Sequence, residues 1–206
     1  FGNRAVAYNL RFHPLLARLK SLLAGAVILS ATAYVGQYLP EWRPAVDYRT
    51  SYSASRRLGG GVLNDISHEL DYLAWLLGPI NRVAAIGGKY SELEIDSDDI
   101  FSLLMRSENC PAISLEMNYL DRAGRRFVIV NTLSHTIEID FVASSISVDK
   151  KTESLKVERD DSYRAMHREA VSPASPNLCS FEEGLQTLKV IQAAEIAARD
   201  GKWVNL

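Results

Sequence analysis

The chain has 206 residues, 47% of them hydrophobic and 23% charged, with a formal net charge of −2. That balance suits one globular domain and excludes a nucleic-acid-binding face, because basic residues cluster only in pairs such as Arg56-Arg57, Arg125-Arg126 and Lys150-Lys151. Cys110 and Cys179 are too few for a disulfide framework and fit a reducing, cytoplasmic setting, and the longest apolar run, 22–33, is too short and too polar to span a bilayer.

In chain order, Pro14 opens a helix that runs to about Ala24, with Leu15, Leu16, Leu19, Leu22 and Leu23 at three- and four-residue steps. Gly25 ends it. Val27 to Tyr38 reads as a strand, with Leu29, Ala31, Ala33 and Val35 alternating with Ser30, Thr32, Tyr34 and Gly36. Its small, hydroxylated and aromatic face suits either a cleft wall or solvent. Residues 39–61 form a loop rich in Tyr, Arg, Ser and Pro. Loops beyond roughly 12–15 residues tend to be functional or disordered, and the aromatic content argues for ligand contact or an ordered packing arm.

The next stretch is the most informative: Gly59-Gly60-Gly61-Val62-Leu63-Asn64-Asp65-Ile66-Ser67-His68-Glu69-Leu70-Asp71-Tyr72-Leu73. The glycines free the backbone to approach a ligand closely. A helix that starts near Asn64 or Asp65 places Asn64, Asp65 and Asp71 on the side of His68. A histidine among carboxylates is a proton donor and acceptor; the same pattern also reads as an ordinary N-cap with a structural histidine. Leu70, Leu73, Ala74 and Leu77 form the buried stripe, and Gly78-Pro79 stop the helix.

From residue 80 the texture changes to short strands: Ile80 to Ile86, Ile100 to Arg106, Ala112 to Leu120, Arg126 to Asn131, Thr136 to Phe141 and Ser145 to Val148. Alternation within them predicts an antiparallel sheet with one buried and one open face. Such a face needs a cover, often another subunit. Asp160 to Ala170 is a short helix candidate, and Ser172 to Pro176 a linker. Ser180 caps a helix that runs to about Arg199, with Leu185, Leu188, Ile191 and Glu195 along one side. Trp203-Val204 form a last short strand.

No GxGxxG, phosphate loop, HExxH or GxSxG is present. His13, His68, His135 and His167 are scattered, so no metal site is expected.

Tyr8-Asn9-Leu10-Arg11-Phe12-His13-Pro14, Tyr34-Val35-Gly36-Gln37-Tyr38-Leu39-Pro40 with Trp42, and the Gly-Gly-Gly to HxxD stretch resemble the C-terminal half of the Gfo/Idh/MocA oxidoreductases, which include sugar and inositol dehydrogenases. The resemblance extends to the closing Phe181-Glu182-Glu183-Gly184 helix and Gly201-Lys202-Trp203-Val204. It implies an α+β fold: one domain over 1–206, with an open-faced, mostly antiparallel sheet, helices on one face, and oligomer contacts through the open face. It also implies that the Rossmann domain, which holds NAD or NADP and carries the family's lysine, is absent from this chain; the start at Phe1 rather than Met agrees. Carried over, His68 matches the proton-moving histidine and Asp71 the acid of HxxD. Many relatives have Asp four residues before the histidine, where Asn64 stands here; either Asp65, three before, takes the role and orients the imidazole, which is the favoured choice, or Asn64 fills the position as a neutral hydrogen-bonding group. Arg11, Gln37, Tyr48, Arg49, Tyr52, Asn64 and Asp71 are expected to meet the substrate. The expected activity is hydride transfer from a hydroxyl of a sugar, sugar acid or sugar derivative. The alternative is a non-catalytic sugar-binding or dimerising module.

Overall fold

A computed structural model describes residues 5–172 and 175–206. Phe1, and residues 173 and 174 of the expected linker, lie outside the described residues. The chain runs β1 (Ala5–Val6), α1 (Pro14–Leu23), β2 (Ile28–Gly36), α2 (Val62–Asp65), α3 (His68–Leu77), β3 (Ile80–Gly88), β4 (Ile100–Ser107), β5 (Ile113–Asn118), β6 (Arg125–Thr132), β7 (Thr136–Asp140), β8 (Ser145–Val148), β9 (Lys151–Ser154), α4 (Asp161–Ala170), β10 (Cys179–Ser180), α5 (Phe181–Asp200) and β11 (Val204–Asn205). Nine strands form one sheet in the order β11-β3-β4-β5-β2-β6-β7-β8-β9. Every pairing in it is antiparallel except β2 with β5. β1 pairs with β10 apart from this sheet.

The alternation on β2 holds with one shift. A bulge between Ile28 and Ser30 turns Ile28 inward and leaves Leu29 45% exposed, against the expectation that Leu29 joins the core face. Ala31, Ala33 and Val35 are buried, and Ser30, Thr32 and Tyr34 look out over the open side. α1 lies on the buried side, capped at its start by His13 and inserting Leu15, Leu16, Leu19 and Leu23 into the core. Loop 39–61 is not structureless: four short 3-10 turns compact it, and Leu39, Ser53 and Ala54 are buried.

Two expectations for the helices need correction. The helix after the glycines is two pieces, α2 and α3, broken at Ile66 and Ser67. The bend lets Ile66 enter the core while Asp65 reaches the Tyr119 hydroxyl. α5 does not bury its leucines: Leu185 is 41% and Leu188 56% exposed, and of the expected stripe only Ile191 joins Gly184, Thr187, Val190, Ala193, Ala194 and Ala197 on the buried face. The small face wins because the helix packs close, with Gly184 pressed against Val6 so tightly that a Cβ would clash.

The open face of the sheet holds a shallow trough of about 680 Å³, lined by residues that include Thr32, Tyr34, Ile86, Leu104, Phe127 and Trp203. Ile86 is 73% and Leu104 57% exposed there.

Candidate functional site

Gly60 and Gly61 are needed for the fold itself. A Cβ on Gly60 would strike the main chain of Tyr52 and Ser53, and one on Gly61, at φ +113°, would strike the Asp98 carboxylate. Asp98 accepts from the Leu63 N–H at 3.0 Å, and its carbonyl from the Val62 N–H at 3.0 Å, which fixes the start of α2. The close approach expected toward a ligand is therefore made to the chain's own loop. A carboxylate against this turn makes it a poor seat for a pyrophosphate.

His68 opens α3. Its Nδ1 is buried and has no hydrogen-bond partner among the described residues, and the Tyr8 ring meets the imidazole edge-on at 5.3 Å. Burial, and then the charge of Arg126, holds the imidazole down to about 4, so the ring is neutral at ordinary pH. Asp65 does not orient it: the Asp65 carboxylate accepts from the Tyr119 hydroxyl at 2.7 Å, and no hydrogen bond joins it to His68. The break between α2 and α3 interrupts the continuous helix expected to hold Asn64, Asp65 and His68 in one register; Asn64 makes no side-chain hydrogen bond among the described residues.

Arg11 and Asp71 are brought together, but with each other. Arg11 Nη2 and Nε donate to Asp71 at 2.7 and 3.0 Å, with side chains 3% and 1% exposed. Arg11 Nη1 donates to Glu183 at 3.0 Å, which ties the chain before α1 to α3 and α5. One residue on from His68, Glu69 is fully buried and forked by Arg126 of β6 at 2.6 and 2.9 Å. The two ion pairs explain how a helix with two acids in its first turn is buried on nearly every side.

Of the loop residues expected to meet substrate, Gln37 is exposed and accepts from the Trp42 indole through its main chain at 3.2 Å. The Tyr48 hydroxyl accepts from the Glu94 N–H at 3.3 Å. Arg49 spends its charge on Asp47 and Glu94 at 2.8 and 3.0 Å. Tyr52 is 46% exposed beneath Arg43. Among the described residues, no hydrogen bond or aromatic contact joins any of the four to His68.

Three residues at the site escaped the sequence reading. Tyr119 belongs to the buried alternation Ile113, Leu115, Met117, Tyr119 and looks like core. Arg126 looks like half of a solvated basic pair. Tyr8 opens the Tyr8-Asn9-Leu10-Arg11-Phe12-His13-Pro14 segment but takes no role of its own there. The only available signal was the unpaired acid Glu69 inside an apolar run, which demands a buried cation.

His13 shares the behaviour of His68. Its Nδ1 accepts from the Leu15 N–H at 3.2 Å, and burial, then Arg126, holds it down to about 4. Unfolded histidine titrates near roughly 6.5. Between those values the unfolded chain binds more protons than the folded one, so stability is complete above the window and falls as pH drops through it. The melting temperature should fall between about pH 6.5 and 4. His13→Asn, which keeps a capping acceptor without titrating, should make that fall shallower; an identical slope would contradict the assignment.

The comparisons with known proteins agree with this architecture. The GFO/IDH/MocA C-terminal domain family matches residues 18–139. No curated protein matches the chain. Among solved structures, levoglucosan dehydrogenase in complex with NADH superimposes with a TM-score of 0.83 at 18% identity, covering 97% of this chain and 65% of that one. The WlbA dehydrogenase from Bordetella pertussis, in complex with NADH and UDP-GlcNAcA, gives 0.79 at 22%, covering 99% and 64%. An inositol dehydrogenase homolog from Azotobacter vinelandii, with NAD+, gives 0.81 at 13%, covering 98% and 64%. At these identities the likeness carries the fold, and the chain spans less than two thirds of each neighbour's length.

Proposed function

This chain belongs to the Gfo/Idh/MocA family through its C-terminal domain, and from that premise we propose that it is the substrate half of an NAD- or NADP-dependent oxidoreductase acting on a hydroxyl of a sugar, sugar acid or sugar derivative. The observation that carries the reading is His68: a neutral imidazole, one nitrogen buried and unpartnered, at the head of a helix pinned by two ion pairs. The glycine turn does not fit the cofactor's pyrophosphate; His68, whose imidazole makes no hydrogen bond among the described residues, would serve the substrate at the cofactor's reacting end. A bound nicotinamide dinucleotide supplies the hydride acceptor. His68 Nε2 takes the proton of the hydroxyl whose carbon loses hydride. Asp65, anchored by Tyr119, accepts from a neighbouring hydroxyl of the same substrate. Arg11 and Asp71, saturated by each other, hold α3 in place instead of touching substrate.

Chemical-shift mapping on this chain tests the placement. Titration with glucuronate and with myo-inositol should move resonances of Tyr8, Asp65, His68 and Tyr119. Shifts confined to the trough of Thr32, Leu104 and Trp203 would overturn it.

The apolar trough supports a second part of the reading, a homo-oligomer closed through the open face. Leu104 is 57% exposed on the open face, and Leu104→Glu should shift sedimentation toward the monomer while far-UV circular dichroism shows the fold intact. A wild-type chain that sediments as a monomer at all concentrations would contradict this.

A further inference from the structure

Among the described residues, neither nitrogen of the His68 imidazole has a hydrogen-bond partner, and Nδ1 is buried. A histidine ring turns about its last side-chain bond in broad wells unless a neighbour holds it. The carboxylates nearest in sequence do not hold this one: Asp65 is taken by Tyr119, Glu69 by Arg126 and Asp71 by Arg11. What meets the imidazole is the Tyr8 ring, with centroids 5.3 Å apart and planes at 85°. This is the perpendicular arrangement that aromatic pairs prefer, and unlike aliphatic packing it is directional.

Tyr8 is itself tied down. Its hydroxyl donates to Ser67 Oγ at 3.3 Å, and Ser67 is the residue before His68. Its N–H donates to the Val6 carbonyl at 2.8 Å. Val6 in turn pairs with Cys179 and lies against Gly184, where no Cβ would fit. On the other side Asn9, 6% exposed, donates to Ser162 Oγ at 2.8 Å, and Arg11 is forked to Asp71. The residues flanking Tyr8 are thus fastened to α3, α4 and α5, which leaves its ring little room to shift.

We propose that Tyr8 is a positioning residue for His68: its ring fixes the plane of the imidazole and does the orienting that no hydrogen bond among the described residues does. A perpendicular contact favours one ring placement over the alternatives by a factor of roughly 3–10 in population. The inference rests on the reading of His68 as the group that takes the proton, but the placement of the ring is measured without turnover.

Nuclear Overhauser contacts from the Hδ2 and Hε1 protons of His68 are recorded in this chain. Wild type should show one imidazole orientation against the Tyr8 ring. Tyr8→Phe keeps the ring and should keep that pattern. Tyr8→Leu removes it and should add a second set of contacts from the flipped imidazole. In the complete protein, Tyr8→Leu should lower kcat by roughly 3–10-fold with KM little changed, and Tyr8→Phe should restore it. Should Tyr8→Leu not fold, Tyr8→Met, flexible and without a ring, is read the same way. Two orientations in wild type, or a single unchanged orientation in the folded leucine variant, overturns the inference. So does a loss of turnover in Tyr8→Phe as large as in Tyr8→Leu, which would assign the effect to the hydroxyl. Unchanged turnover in a His68 variant would instead remove the proton role of His68 and leave the orientation result intact.

Discussion

Replacing His68 by asparagine in the complete protein is expected to lower kcat by roughly 10²–10⁴-fold, the usual worth of a positioned general base. Asparagine keeps polarity and approximate size but takes no proton. The fold should survive, since neither imidazole nitrogen is committed to a structural hydrogen bond among the described residues. KM should change much less than kcat, because the lost interaction is made as the proton moves. The same account fixes the pH profile. With the imidazole held near 4, the acid limb of kcat/KM should lie close to that value; a limb near the ordinary histidine value of roughly 6.5 would show that the site does not hold the ring neutral. Unchanged turnover in the variant would remove His68 from the chemistry.

The largest loss of stability is expected at Arg11. Its guanidinium is 3% exposed and serves Asp71 and Glu183 from three nitrogens. Arg11→Met would leave the Asp71 carboxylate, 1% exposed, without its partner. Breaking a buried pair from one side typically costs about 3–5 kcal/mol. Burial already pushes the Asp71 carboxyl up against the opposing pull of Arg11, so the orphaned group would take up a proton more readily. Arg11→Met with Asp71→Leu should recover much of the loss, because an apolar pair of similar volume leaves no uncompensated charge. Denaturant unfolding of the two singles and the double checks this. Additive losses would mean that the two residues act independently.

The parts of the fold written in local chemistry could be read from the residues. Pro14 after His13, the leucine spacing of α1, the N-cap Ser180, and the alternation of β4 through β7 all correspond to elements found in place. What could not be read depends on partners distant in sequence. The break between α2 and α3 is set by Asp98 and Tyr119, which lie 35 and 54 residues from their partners Leu63 and Asp65. The buried face of α5 is set by how closely Val6 approaches Gly184, and apolar spacing alone favoured the leucines. The insertion of β2 between β5 and β6 is equally non-local.

The candidate site divides in the same way. His68 stood out from its glycine-led, acid-flanked setting. The neighbours of that histidine did not: Arg11 and Asp71 looked like substrate contacts because both are charged and lie in the familiar segments, and only the three-dimensional structure pairs them. Glu69 was the overlooked clue, since a buried acid in an apolar helix requires a cation and thereby points to Arg126.

The central claim is tested most directly by the rate of nicotinamide reduction by the complete protein, with NAD and NADP supplied in turn, across cyclic polyols, sugars and sugar acids. The account predicts reduction with at least one member of that panel. Binding of sugars to the chain with no reduction by any of them, under either dinucleotide, would contradict it and make this domain a binding module that keeps the scaffold without the chemistry.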